Sequence, residues 1–111
     1  MTKSAAIPQQ ADANGLKDAA FLARALADEN RLRILLSIRD QQKTVTRIVE
    51  EVGLSQPLVS HHLKELKRAL LVDVERSGPF VLYQVGDKRI LDIIAALQQL
   101  AVDRLSLRRT F

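Results

Sequence analysis

The sequence predicts a mainly α domain carrying one β-hairpin, with element order α-α-α-α-β-β-α. Three observations lead there. Apolar residues recur at three- and four-residue spacing through 16–27, 32–38, 47–52, 58–70 and 90–105, the period of helices that pack on one side. Between Leu71 and Val85 the pattern becomes strand-like, interrupted by Ser77-Gly78-Pro79, residues suited to a tight turn. The third and fourth helical stretches are separated only by Gly53, Leu54 and Ser55.

Taken in order, residues 1–14 are mixed polar and alanine-rich without sustained periodicity, and are expected to form a flexible arm. Residues 15–106 form the folded domain, and 107–111 a basic tail with Arg108 and Arg109. From Gly15 the first helix is apolar over much of its circumference, so burial on two sides is expected. Asp28, Glu29 and Asn30 supply cap chemistry for a second helix that carries Leu32, Ile34, Leu35, Leu36 and Ile38 and ends near Arg39 or Asp40. After Gln41-Gln42-Lys43, Thr44-Val45 suits a short strand and Thr46 a cap for the third helix, with Ile48, Val49 and Val52 inward.

Gly53 suits a left-handed cap, and a helix, a tight turn and a second helix make a helix-turn-helix. The second of these helices is the stretch around which the chain is organised. Ser55 or Gln56 can cap it, and Pro57 fits its first turn, where the N–H groups lack helical partners anyway. Leu58, Val59, His62, Leu63, Leu66 and Leu70 form its apolar stripe, leaving Gln56, Pro57, Ser60, His61, Lys64, Lys67 and Arg68 outside. The expected DNA contacts are Gln56, Pro57, Ser60, His61, Lys64 and Arg68, joined by Arg76 from the hairpin. Gln suits adenine, Lys suits guanine or phosphate, and Ser or His serves either. The same residues on an isolated helix would read as solvated surface; the preceding helix, short turn and following hairpin favour DNA. His62, on the apolar stripe, is expected to be a hydrogen-bonded core histidine. Phe80 and Tyr83 read as sheet-packing residues.

Composition narrows the function. With 111 residues, 47% of them hydrophobic, the chain can bury one small core, and helical domains of this size gain burial by pairing. The net charge of +4 permits nucleic-acid binding without requiring it. The absence of cysteine excludes disulfides, thiolate metal sites and thiol switches. No apolar run approaches the roughly 18 residues of a membrane span, and residues 1–10 lack the apolar core of a signal peptide. A cytoplasmic protein without membrane partners is expected. No catalytic constellation is visible: Ser60 and His61 are sequence neighbours pointing apart, and no glycine-rich phosphate loop occurs, so the chain is not read as an enzyme.

The stretch from Ala25 through Asp28-Glu29-Asn30-Arg31 to Leu35, the stretch Gly53-Leu54-Ser55-Gln56-Pro57-Leu58-Val59-Ser60-His61-His62-Leu63-Lys64, and a hairpin with Val81-Leu82-Tyr83 together resemble the ArsR/SmtB family of winged-helix repressors. The resemblance spans roughly 16–105. It implies a winged helix-turn-helix that dimerises through its first and last helices, and repression at a two-fold symmetric operator, released by a signal. Leu16, Ala20 and Ala23 on the first helix and Ile90, Ile94, Leu97 and Ala101 on the last are the expected interface, and their apolar excess points to pairing without the resemblance. A two-fold dimer would set its recognition helices in successive major grooves about 34–36 Å apart, so the expected target is a pseudo-palindromic double-stranded operator.

The chain departs from the family where signal chemistry is concerned. Where many members hold a thiolate pair, it has Thr46-Arg47-Ile48-Val49-Glu50-Glu51-Val52. Where others place carboxylates and histidines, its last helix has Asp87, Asp92 and Asp103, and no histidine. Its two histidines are adjacent in the recognition helix and point about 100° apart, so they do not converge on one metal. No metal or cofactor is expected; a small apolar molecule between the first and last helices, a protein partner, or control by protein concentration alone are left as the means of release. The competing reading is a winged-helix protein-interaction module without sequence-specific DNA binding. Such a module would present apolar or aromatic anchors on the fourth helix.

Overall fold

The computed structural model describes residues 12–110. Five helices and one hairpin follow in order: α1 Asp12–Leu26, α2 Glu29–Ser37, α3 Val45–Val52, α4 Gln56–Arg68, β1 Val72–Ser77, β2 Phe80–Val85 and α5 Arg89–Leu105, which continues into a 3-10 segment, Ser106–Thr110. The first helix starts three residues earlier than Gly15, so residues 12–14 of the expected arm are helical; residues 1–11 and 111 lie outside the described residues.

Local chemistry sets the helix ends. The Asp28 carboxylate accepts the backbone N–H groups of Asn30 (2.9 Å) and Arg31 (3.1 Å), satisfying two orphan donors of α2. The cap of α3 is Thr44, whose hydroxyl accepts the Arg47 N–H at 3.2 Å, and not Thr46, which lies inside the helix. The expected Thr44-Val45 strand is likewise displaced. Lys43 is the residue that bridges, exchanging both backbone hydrogen bonds with Tyr83 (3.0 and 2.8 Å). The hairpin pairs Val72 with Val85 through Ser77 with Phe80, and Gly78 takes the positive φ of 61° at its turn.

The core lies where α2, α3, α4, β1 and the start of α5 meet, with Ile34, Leu35, Ile48, Val59, Leu63, Leu66, Val72 and Ile94 buried. Leu32, Leu36, Val49, Leu54, Tyr83 and Val85 pack on its edge, whereas Phe80 is exposed near the hairpin tip and is not a packing residue in the single chain. Two members of the expected α4 stripe also depart. Leu58, about 100° around the helix from Val59, is left at the rim. Leu70 falls beyond the helix end with φ 61° and is 78% exposed, because the chain reverses there to enter β1. That reversal is close: Gly86 donates its N–H to the Leu71 carbonyl at 2.9 Å.

Helix α1 is not buried on two sides in the single chain. Among its residues from Gly15 on, only Ala25 and Leu26 are buried, while Leu16, Ala19, Ala20, Phe21, Leu22 and Ala23 face outward. On α5, Ile93, Leu97, Leu100, Val102 and Leu105 are exposed as well. Ile90 and Ile94, expected at the subunit interface, belong instead to the protomer's own core, at 6% and 1% exposure. They sit one turn apart on the face of α5 that meets the core. No described helix is long and apolar enough to cross a membrane.

Candidate nucleic-acid interface

Three features aim α4. Gly53 ends α3 in the left-handed region (φ 71°) and donates its N–H to the Val49 carbonyl at 2.9 Å, so the chain turns sharply. Two residues later the Ser55 hydroxyl accepts the Leu58 N–H at 3.3 Å, and Pro57 occupies the first turn, where its missing donor costs nothing. Val59, His62, Leu63 and Leu66 then bury one face of α4 in the core. The helix is thereby held from behind, with its opposite face in solvent.

That solvent face carries Pro57, Ser60, His61 and Lys64, with Gln56 at its N-terminal edge. The side chains of Gln56, Ser60 and Lys64 make no hydrogen bond or ion pair among the described residues, so their polar atoms are available to a ligand. Arg68 stands apart from this group. It is about 18 Å along the helix from Gln56, and its guanidinium lies 3.6 Å from Glu65. Arg76 is exposed on the hairpin, opposite Val81. The structure thus gathers five of the seven expected contact residues at the start of α4 and leaves Arg68 and Arg76 at separate positions.

Two cations near the turn, Lys43 and Arg47, are taken up by the protein itself. Lys43 ion-pairs with Glu51 at 2.6 Å and donates to the Ser37 carbonyl, and Arg47 Nε reaches the other Glu51 oxygen at 3.0 Å. The Lys43 and Arg47 hydrogen bonds outweigh partial burial and hold the Glu51 carboxyl below the usual carboxylate range. This cluster braces α3 against the end of α2, a role that the isolated residues did not reveal. His62 is buried at 6% exposure, its Nε2 3.9 Å from Asp28 and its Nδ1 without a hydrogen-bond partner. It is a core histidine as expected, but without the expected hydrogen bond. Burial pushes its pKa down, Asp28 partly offsets that, and Arg31 and His61 push it further down.

Among the described residues no group of three or more His, Cys, Asp or Glu side chains could hold a metal ion, and the chain has no cysteine. The residues present therefore do not fit the thiolate or histidine–carboxylate sites that the family resemblance brings to mind.

A helix-turn-helix whose second helix offers a polar, cationic face, followed by an antiparallel hairpin, defines the chain as a winged helix-turn-helix domain. Residues 28–74 match the model of the bacterial regulatory protein, arsR family. The HTH-type transcriptional repressor SmtB of Mycobacterium tuberculosis is 44% identical over 79 residues, which are 71% of this chain and 58% of that protein. An HTH-type transcriptional regulator of Methanocaldococcus jannaschii is 35% identical over 83 residues, covering 74% of this chain and 93% of its own length. Among solved structures, the homodimeric winged helix-turn-helix DNA-binding domain of a possible ArsR-family transcriptional regulator from Mycobacterium bovis superposes with a TM-score of 0.75 at 27% identity, over 91% of this chain and 93% of that one. The chain belongs to the ArsR family.

Proposed function

We propose that the chain is a sequence-specific DNA-binding transcriptional repressor that acts in the cytoplasm as a homodimer on a pseudo-palindromic operator. The observation that carries this reading is the unengaged polar face of Gln56, Ser60 and Lys64 on a helix fixed from behind by the core. Base edges in the major groove offer the donors and acceptors that such side chains take up. The repressor name of the SmtB relative supports the direction of control, and the homodimeric Mycobacterium bovis domain supports pairing. Residues 15–106 would carry both activities, with Leu16, Ala20, Ala23, Leu97 and Ala101 among the exposed apolar residues available to a second copy. The protein-interaction reading is disfavoured because α4 carries no aromatic anchor.

The test is a salt titration of binding to the DNA upstream of its own gene beside an unrelated duplex of equal length. A preference of about a thousandfold or more for the upstream DNA supports specific recognition. Equal affinity for both, or no binding at low salt, counts against it.

A further inference from the structure

Arginines from three different helices converge on a cleft away from the face of α4 described above. The cleft, of about 250 Å³, is lined by Arg24 of α1, Arg31 of α2 and Arg68 of α4, with apolar surface from Phe21, Ala25 and Ala69. Glu65 is the one carboxylate in the lining, and it already lies 3.6 Å from Arg68. Among the described residues neither Arg24 nor Arg31 has a side-chain ion pair or hydrogen bond, and Arg31 Nε is shut from solvent without an acceptor. Three guanidiniums sharing one carboxylate repel one another, and an unsatisfied buried donor adds to that cost. A bound anion would offset the repulsion.

The lining also says which kind of anion. A guanidinium fork matches the planar, two-oxygen geometry of a carboxylate. Phe21 and the two alanines offer apolar surface that a bare inorganic ion would leave unused. The volume is just below the roughly 300–1,000 Å³ of drug-sized ligand pockets, which suits a single ring. We propose that this cleft is an effector site for a small aromatic carboxylate, its oxygens held by Arg24 and Arg31 and its ring against Phe21, Ala25 and Ala69.

The site's position gives it a consequence. It joins α1 to the C-terminal end of α4, about 18 Å along the helix from Gln56, so the ligand and DNA do not compete for one surface. The ligand would fasten α4 to a helix whose outer face is the proposed dimer surface, coupling recognition-helix angle to subunit arrangement. Arg31 also follows the Asp28 cap, and its charge acts on both Asp28 and His62. This regulatory consequence rests on the DNA-binding reading; ligand binding itself does not.

Calorimetry of the whole chain at low ionic strength tests the site, with benzoate as probe and benzyl alcohol and inorganic phosphate as controls. The expected result is saturable benzoate binding, about tenfold or more tighter than either control, and a loss of about tenfold or more in Arg24→Gln. Because Arg24 is exposed, that variant keeps its fold, which circular dichroism verifies; Arg31→Gln is the second variant. Absence of saturable binding, equal affinity for benzoate and phosphate, or unchanged binding in Arg24→Gln overturns the site. Repeating the operator titration with saturating benzoate tests the effector role: a shift in affinity supports it, and unchanged affinity overturns it. Benzoate binding without any DNA binding would uphold the site and remove the DNA reading, so the two fail separately.

Discussion

His62 Nε2 lies 3.9 Å from the same Asp28 oxygen that accepts the backbone N–H groups of Asn30 and Arg31. One carboxylate oxygen therefore opens α2 and faces the buried side of α4. The separation is too long for a hydrogen bond, so the two groups act on each other as a charge pair only when the imidazole is protonated, and the seat of α4 responds to that one proton.

The pH dependence follows from that charge. Burial lowers the His62 pKa below its ordinary 6.5, with Arg31 and His61 acting in the same direction against Asp28. The folded protein thus binds this proton less tightly than the unfolded chain does. The stability contributed by neutral His62 is fully present above about pH 6.5 and is lost as pH falls through the lowered folded value. Asp28 is itself held below its usual 3.8: burial raises it, but the Arg31 and Asn30 N–H groups and nearby cations outweigh this, so its own loss comes at more acid pH. Melting temperatures from pH 7.5 to 5 should fall in the native protein and flatten in His62→Gln. Parallel profiles would rule out this origin.

Contacts at the start of α4 should be separable from dimerisation. Lys64→Ala and His61→Ala are expected to cost about 1–3 kcal/mol of operator binding each, with the dimer intact. Arg76→Ala, if the hairpin lies on the DNA backbone, should weaken operator and unrelated DNA alike and reduce the salt slope by about 1. Fluorescence anisotropy at several salt concentrations measures both.

Two positions on α5 should respond in opposite ways. Leu97 is 47% exposed in the single chain and Ile94 only 1%. Leu97→Glu should give folded monomers in sedimentation velocity, whereas Ile94→Ala should keep the dimer and lower unfolding stability by about 2–5 kcal/mol, as core truncations do. A dimeric Leu97→Glu would place the interface elsewhere.

Gly86 should not tolerate a methyl group. A Cβ there would sit 2.8 Å from the Leu70 carbonyl oxygen, which is backbone and has little room to yield. Gly86→Ala should lower stability by about 1–3 kcal/mol, visible in a denaturant midpoint; an unchanged midpoint would mean that the α4–β1 turn is softer than it looks.

Periodicity carried the order of elements, because α4 and the hairpin have unambiguous patterns and Gly53 punctuates the turn between α3 and α4. It missed where two similar signals competed. Thr44 and Thr46 are equally good caps by type, and only the bridge of Lys43 to Tyr83, a contact distant in sequence, selects the first. Ile94 and Leu97 are both apolar on one helix, and their assignment to core or surface depends on how α5 lies against α2. The polar, solvent-facing side of α4 was legible because a single helix carries it. The arginine cleft was not, since Arg24, Arg31 and Arg68 come from three helices and mean little apart.

The two hydrogen bonds between Lys43 and Tyr83 turn the hairpin from an appendage into a lever. Lys43 immediately precedes the cap of α3, so the wing is riveted at its middle to the residue before the helix-turn-helix begins. A push on the hairpin tip would be transmitted to the start of α3 and, through the Gly53 corner, to α4. In the proposed DNA complex, wing and α4 would then move as one stiff fork, and a misfit at one prong would lift the other.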